Sequence, residues 1–473
     1  MTASESLQAL AFIMLVVFLS YVCMILVPFL RRKPDEDGDA AAFAWHIFVP
    51  CRDEEAVIED TLDRLAADFP EAHVWIVDDH STDATAELVA ARADTDPQLH
   101  LVRRRMPDAR QGKGAALNAA YRSLNNWLPA DADRDHTVVV VVDADGRLAP
   151  NALRQAAGPR AFGDPTSGAA QAAVWMSNRN ESHPIPGAGR ARQWWGRYLV
   201  RMQDIEFRTT IAAMQCLRGH TLSVGLGGNG QFTRLAALDA IAGAAGTPWH
   251  GSLLEDYELG IHVMLAGYRN VYLHDTHVAQ EALPFTGKLL TQRTRWCQGG
   301  MQCTRYLGQI FFSRNFTNAG ALEASYFLLM PFLQLIGTVL WPLVFVISAA
   351  QGALAPGGFH AWLGTVAWVA PLMVLTGVLP FALWALIYWR RDERRGTDVT
   401  ALGWAIGYWL YMYQSYVVVI RAFVRLVLGR TSWSKTRRIA EYAAPGTTAA
   451  PTASATASAA APAPAAPALE AAR

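Results

Sequence analysis

Thr137-Val-Val-Val-Val-Val-Asp143-Ala-Asp145-Gly146 is the stretch whose reading decides the fold. Five consecutive β-branched valines suit a strand buried on both faces of a parallel sheet better than they suit a helix. The run stops in two carboxylates one residue apart, followed by glycine. In open α/β sheets ligands bind outside the carboxyl ends of the strands. Two acids placed there can hold a divalent cation on hard oxygen ligands, and that cation can hold a diphosphate. The alternative is an Asp-x-Asp-Gly turn with solvated acids. These ten residues do not separate the two readings; their flanks do.

Upstream, His46–Pro50 reads as a first strand, which Pro50 ends. Arg52-Asp53-Glu54-Glu55 then opens a helix to about Ala67, with acids favourably placed in its first turn. A second strand, His73–Val77, runs into Asp78-Asp79-His80-Ser81-Thr82-Asp83 and a helix to about Ala91, which Asp83 and Thr85 cap and start. Leu99–Arg103 is a third strand, followed by Gln111-Gly112-Lys113-Gly114 and a helix over Ala115–Asn126. The valine strand is the fourth. This alternation predicts a doubly wound α/β sheet with Asp78/Asp79 and Asp143/Asp145 on one rim.

No Gly-x-Gly-x-x-Gly follows the first strand, which disfavours a dehydrogenase-type dinucleotide site. Gly112-Lys113-Gly114 lacks P-loop spacing and alone reads as a flexible turn. At the rim of an acidic nucleotide site, Lys113 becomes a phosphate or base contact. Downstream, Gly168–Ser177 reads as a strand and Ala191–Leu217 as a long amphipathic helix packed on the core or a membrane surface. Gly225–Gly230 is a glycine-dense loop where backbone must pass close to something. A helix begins near Asp256, Tyr268–Leu273 is a last strand, and Gln292–Trp296 is a helical segment heading for a membrane.

Of the 473 residues, 52% are hydrophobic and 17% charged, and the apolar excess sits in blocks. Leu7–Leu30, Ala324–Ala350, Ala361–Trp389 and Ala401–Ile420 carry no charged side chain, and each is long enough to cross about 30 Å of hydrocarbon as a helix. Arg31-Arg32-Lys33 after the first block points to a retained anchor with its basic end in the cytoplasm. Four parts follow: an anchor over residues 1–33, a cytoplasmic catalytic domain over 34–318, membrane helices over 319–430, and a basic then Ala/Pro/Thr-rich tail over 431–473 with too little apolar surface to fold. The second and third blocks should form a hairpin ending in the basic run that starts at Arg390. The fourth block would then leave Arg430 and the tail outside, against the positive-inside tendency, unless it breaks or re-enters near Arg421 and Arg425. Zero net charge and no basic patch interleaved with aromatics give no sign of nucleic acid. Five scattered cysteines fit reduced thiols better than a disulfide framework or a zinc site.

Taken in order, Asp78-Asp79-x-Ser-x-Asp, Gly-Lys-Gly-x-x-Leu-Asn, Asp143-x-Asp145, Glu255-Asp256 and Gln292-x-x-Arg295-Trp296 resemble the family 2 inverting glycosyltransferases. Within them the chain is similar to the membrane-integrated branch of cellulose, chitin and hyaluronan synthases, over about Trp45 to Tyr306 and on into the membrane helices. That resemblance implies a GT-A fold, a nucleotide-sugar donor of the UDP type, and Mg2+ or Mn2+. It assigns Asp78 or Asp79 to the base, with Glu54 and Lys113 helping to hold the nucleotide. It assigns Asp143 to the metal directly or through the sugar, and Asp145 to the metal. Asp256 would be the general base, and Gln292, Arg295 and Trp296 would line the acceptor site. Leu254 stands where the family has threonine, and Asp53 where its first-strand motif has asparagine. The resemblance implies a growing polysaccharide as acceptor, exported through the chain's own helices, with Gln334, Trp341, Tyr408, Tyr411, Tyr413 and Gln414 as candidate channel lining. The alternative is single-sugar transfer to a lipid carrier or glycolipid. A sugar-nucleotide-binding scaffold without activity is the third reading, and the intact acids argue against it.

Overall fold

The computed structural model describes residues 3–367, 369–392 and 398–430. The expected tail over 431–473 and the basic residues Arg394 and Arg395 lie outside the described residues.

An eight-stranded sheet forms the core of the domain between the first and second long apolar helices. Its strands are β1 Ala44–Cys51, β2 His73–Asp78, β3 Leu99–Arg103, β4 Thr137–Val141, β5 Arg147–Leu148, β6 Ser167–Met176, β7 Gln231–Arg234 and β8 Arg269–Gln280, in the order β3-β2-β1-β4-β7-β6-β8-β5. The first four are parallel, with Phe48 opposite both Trp75 and Val141. Val138 to Val142 are fully buried, and their alternation feeds two separate cores. Val138, Val140 and Val142 pack with Ile47, Val49 and Ile76, whereas Val139 and Val141 pack with Phe48, Trp75 and Val77. A strand buried on both faces is what a pure valine run favours.

Three local expectations are corrected. The first strand continues past Pro50 to Cys51, because β4 ends opposite Phe48 and asks no N–H of the proline. Arg52–Glu55 do not open a helix; the helix is Ile58–Asp68. Asp53 sits at φ 53° with its carboxylate accepting from the Thr82 N–H (2.8 Å) and hydroxyl (3.0 Å), a left-handed position that Asn and Asp tolerate best. The sheet is mixed, because β7 inserts antiparallel between β4 and β6.

Among the described residues three helices are long and apolar enough to cross a membrane: Ser4–Arg31, Asn318–Leu354 and Asp398–Val427. The first two lie side by side in opposite directions, with Gln351 against Ser4 at one end (3.2 Å) and Arg218 of the sheet domain bonded to Glu323 at the other (2.8 Å). The block Ala361–Trp389 is broken into Gly358–Val366, Val369–Gly377 and Leu379–Asp392, with a 59° bend between the last two. Its start folds back on the preceding helix, at Gly352 beneath the Trp362 ring. Its end returns to Arg391, beside the Phe29 and Leu30 carbonyls of the first helix.

The last helix bears on the topology. Tyr198 bonds the Gly407 carbonyl (2.8 Å), Tyr411 bonds Glu206 (2.8 Å), and Arg425 bonds Gln298 (2.9 Å). Contacts with residues of the sheet domain therefore run along its length. Its opposite face exposes Leu402, Ile406, Leu410, Val417, Ile420 and Val424 at helical spacing. Gln298 also bonds the Arg430 carbonyl (2.7 Å), so the described chain ends beside the sheet domain. The proposed channel residues Tyr408 and Tyr411 are buried against Thr210 and Glu206, and Gln334 bonds Ser415.

Candidate active site

The carboxyl ends of β1, β2 and β4 open into one cleft, lined among others by Glu54, Asp79, Lys113, Asp143, Asp145, Asp256, Gln292, Arg295 and Trp296. Of the residues assigned from the sequence to nucleotide, metal, base or acceptor, Asp78 alone is not part of its lining. Its buried carboxylate accepts the Ser81 N–H (3.0 Å) and fixes the turn that follows β2. Asp79 is buried on the cleft wall, paired with Arg104 and accepting the Arg110 N–H (3.0 Å). Glu54 is held in its loop through its N–H, which donates to the Thr85 hydroxyl (2.8 Å).

The turn after the valine strand is fastened from two sides. The Thr61 hydroxyl donates to the Ala144 carbonyl between the two acids (2.7 Å). The Asp143 N–H donates to Asn229 Oδ1 (3.1 Å), and Asn229 Nδ2 donates to Gln280 Oε1 (3.0 Å). Lys113, the first residue of helix Lys113–Trp127, reaches Asp143 Oδ1 at 2.6 Å. Burial alone would lower the lysine pKa, but Asp143, Glu255 and Asp256 outweigh it and the pKa is raised.

Asp256 stands in the first turn of helix Glu255–Leu265, with its Oδ1 accepting the Tyr257 N–H (2.6 Å). Burial and the adjoining Glu255 push its carboxyl up to about 7, against the pull of Lys113 and Arg295. Burial likewise raises Glu255. Beneath it runs the glycine loop. Gly228 has φ 77°, and a Cβ built there would lie 2.5 Å from Asp256 Oδ2 and 3.3 Å from Lys113 Nζ. The glycine is required twice, for its left-handed backbone and for the space it leaves.

Gln292, Arg295 and Trp296 share one face of helix Thr286–Cys303, which packs close because Gly299 lies under Leu254. Arg295 Nε is buried without a hydrogen-bond partner among the described residues, in a cleft otherwise rich in acids. The Arg293 guanidinium stacks on Trp296 (4.6 Å) and pairs with Glu206 (2.7 Å), and Phe207 meets Trp296 edge-on (6.2 Å). Glu206–Ile211 is a π-helical turn inside the expected long helix, which runs as Arg190–Ile205 before it and Ala212–Thr221 after it. Sequence reasoning missed Asn229 and this turn. The glycine-dense Gly225–Gly230 was the only signal for the first, and the second had none.

Among the described residues, one other cluster could hold a metal, His250, Glu258 and His262. Glu258 there is already taken by Arg305, by the Tyr306 hydroxyl (2.7 Å) and by the Ser252 N–H (3.0 Å), the partners of a structural carboxylate.

Residues 44–299 match the family model described as glycosyltransferase like family 2. Over 291 residues the chain is 32% identical to a beta-monoglucosyldiacylglycerol synthase of Synechocystis sp., covering 59% of this chain and 53% of that protein. Over 105 residues it is 35% identical to an undecaprenyl-phosphate mannosyltransferase of Micrococcus luteus, covering 22% of this chain and 39% of that protein. The chain thus spans about half or less of these curated relatives. Among solved structures, the mannosyltransferase PcManGT of Pyrobaculum calidifontis, in complex with GDP-Man and Mn2+, superposes with a TM-score of 0.55 at 17% identity, over 90% of this chain and 98% of that one. At that identity the likeness is one of fold.

Proposed function

Because the chain belongs to glycosyltransferase-like family 2, we propose that it transfers a single sugar from a nucleotide-sugar donor to a membrane lipid, with inversion at the anomeric carbon. The observation that carries this reading is the meeting of a base, a cation and a metal-type acid pair at one point of the cleft: Asp256 and Lys113 both crowd Gly228, and Lys113 is bonded to Asp143. The relatives are named for a glucosyldiacylglycerol and a polyprenyl-phosphate mannose product. Those names favour the lipid acceptor over the polysaccharide that the sequence motifs first suggest. Three of the expected channel residues, Tyr408, Tyr411 and Gln334, are also occupied in helix packing.

Asp143 and Asp145 suit Mg2+ or Mn2+: they are hard oxygen donors, partly exposed on the cleft, and Asp143 already draws an ammonium group. When bound there, the metal supplies Lewis-acid stabilisation of charge on the leaving diphosphate, worth several kcal/mol. Lys113 and Arg295 add fixed positive charge on the same side. Asp79 and Glu54, at the ends of β2 and β1, face the nucleoside. Asp256 takes the proton of the acceptor hydroxyl as its oxygen attacks the anomeric carbon, and the bond to the diphosphate breaks on the opposite face. A carboxyl near 7 is well matched to that task at neutral pH, and a positioned base contributes about 10²–10⁴-fold.

In this reading the protein is a multi-pass membrane enzyme with its catalytic domain in the cytoplasm. Support comes from Arg31, Arg32, Lys33, Arg390 and Arg391, basic residues gathered where apolar helices reach the catalytic domain. The helix Asp398–Val427 lies along the bilayer surface with its apolar face in lipid, and this removes the conflict over the side of the tail.

The test is a panel of UDP- and GDP-sugars with Mg2+ or Mn2+, offering diacylglycerol or polyprenyl phosphate as acceptor and reading product mass. One added sugar on a lipid is expected. A ladder of products overturns the lipid reading, and absence of acceptor-dependent nucleotide release overturns the enzyme reading.

A further inference from the structure

A second cavity lies outside the catalytic cleft, where the first apolar helix and the helix Leu379–Asp392 meet the sheet. Its walls include Arg32, Arg208, Arg391, His274, Trp175 and Phe29, and among the described residues no carboxylate lines it. Arg208 is almost wholly buried, with Asp204 behind it (3.5 Å) and its guanidinium flat on the Trp175 ring (4.1 Å). Arg32 is tied on one side to Asp275 (2.8 Å), while its Nε is buried with no hydrogen-bond partner among the described residues. His274 Nδ1 is likewise buried and without such a partner. Burial and the neighbouring Arg32 depress this histidine to about 4, so at neutral pH the ring is uncharged and can donate one N–H. Arg391 reaches across from the other helix and stacks on Phe29 (5.0 Å).

Three guanidinium groups converging on a hollow with unused buried nitrogens describe a receptor for a tetrahedral anion. We infer that this cavity binds the phosphate of an anionic membrane lipid, separately from the catalytic cleft. The position selects a lipid as the source. Leu30, almost half exposed, stands at the cavity beside Arg32, so the wall passes from apolar to cationic within three residues of the end of an apolar helix. That is the depth of head groups in a bilayer. The lipid source rests on the membrane reading given above; the anion site does not.

The test uses the full chain in neutral detergent, titrated with dihexanoyl phosphatidylglycerol, dihexanoyl phosphatidylcholine or inorganic phosphate while thermal unfolding is followed. Phosphatidylglycerol should raise the midpoint by several degrees, and phosphatidylcholine should not. The Arg32→Gln/Arg391→Gln variant should lose the shift, with at least about tenfold weaker binding. The Arg32→Lys/Arg391→Lys variant keeps the charge and should keep most of the shift, which separates lost binding from lost folding. Equal shifts with both lipids, or an undiminished shift in the glutamine variant, would overturn the site. A shift by inorganic phosphate as large as that by phosphatidylglycerol would overturn the lipid source. None of these readouts depends on sugar transfer, so they fail or succeed independently of the catalytic reading.

Discussion

Gly228 passes directly beneath Asp256, so that a Cβ on the glycine would stand 2.5 Å from the aspartate Oδ2. The loop and the first turn of helix Glu255–Leu265 are thus fitted to one another with no room for a methyl group. Gly228→Ala should push the carboxylate aside and also strain a backbone at φ 77°, a cost of about 1–2 kcal/mol. Because the atom displaced is the end of a side chain with catalytic work, activity should suffer more than folding. Transfer should fall by about 10²-fold or more, as expected when a positioned group is moved by about 1 Å. Gly187→Ala is the control: its φ is 69° but it has open space, so it should lose some stability and little activity. Equal losses of activity in the two variants would sink the idea.

Lys113 acts on Asp256 as well as on Asp143. The ammonium group holds the Asp256 carboxyl down against burial and Glu255. In the wild type, kcat/KM should climb as pH rises through about 7, where Asp256 loses its proton. In Lys113→Gln that acid limb should move to higher pH, and donor KM should rise because a charge beside the diphosphate is gone. A pH–rate profile checks both. A limb that stays in place would mean that another group governs it.

Asn229 lines the cleft as a support for the acid pair: its Oδ1 receives the Asp143 N–H and its amide ties that turn to Gln280. Removing such support for a ligand typically costs about 10–100-fold in metal affinity. Asn229→Ala should therefore raise the Mn2+ concentration for half-maximal activity by that amount, with activity largely restored at saturating metal. No change in the Mn2+ titration would leave Asn229 a purely structural residue.

How far the sequence was legible follows from where the information sat. The parallel half of the sheet could be read because β4 and its neighbours bury both faces, and a valine run has few other uses. The cleft acids could be read because they end those strands. β7 could not: Gln231, Thr233 and Arg234 are polar yet fully packed, and Arg234 is satisfied by the Ser167 (2.9 Å) and Phe162 (3.0 Å) carbonyls from distant turns. The mistaken helix at Arg52–Glu55 has the same origin, since Asp53 is fixed by Thr82, a partner from another loop. Hydropathy gave the last helix its length and apolar character but not its course along the domain, which depends on Tyr198, Glu206 and Gln298.

Trp296 connects the cleft to the last apolar helix through Arg293, Glu206 and Tyr411. In the proposed reading its ring is apolar area offered to the acceptor, and such area is worth about 1.5–3 kcal/mol when a large side chain is fully buried. Trp296→Ala should raise acceptor KM by about tenfold or more while leaving donor KM nearly unchanged. A rise confined to the donor would move Trp296 out of the acceptor site.

Asp256→Asn separates catalysis from stability. Transfer should drop by about 10²–10⁴-fold with nucleotide affinity retained, because the amide fills the same space without accepting the proton. The effect on stability has the opposite sign. The folded carboxyl is raised to about 7 from an ordinary value of 3.8, so between those limits the folded state holds more protons than the unfolded state. Stability from this group therefore falls as pH rises across that window and is lowest above 7, where the buried charge must be carried. The asparagine variant carries no such charge. At pH 8 it should unfold at a higher temperature than the wild type, and the difference should shrink towards zero near pH 4. A variant that is less stable than the wild type at pH 8 would mean that Asp256 is held there by favourable contacts, and the strained, proton-hungry base inferred from its burial would have to be abandoned.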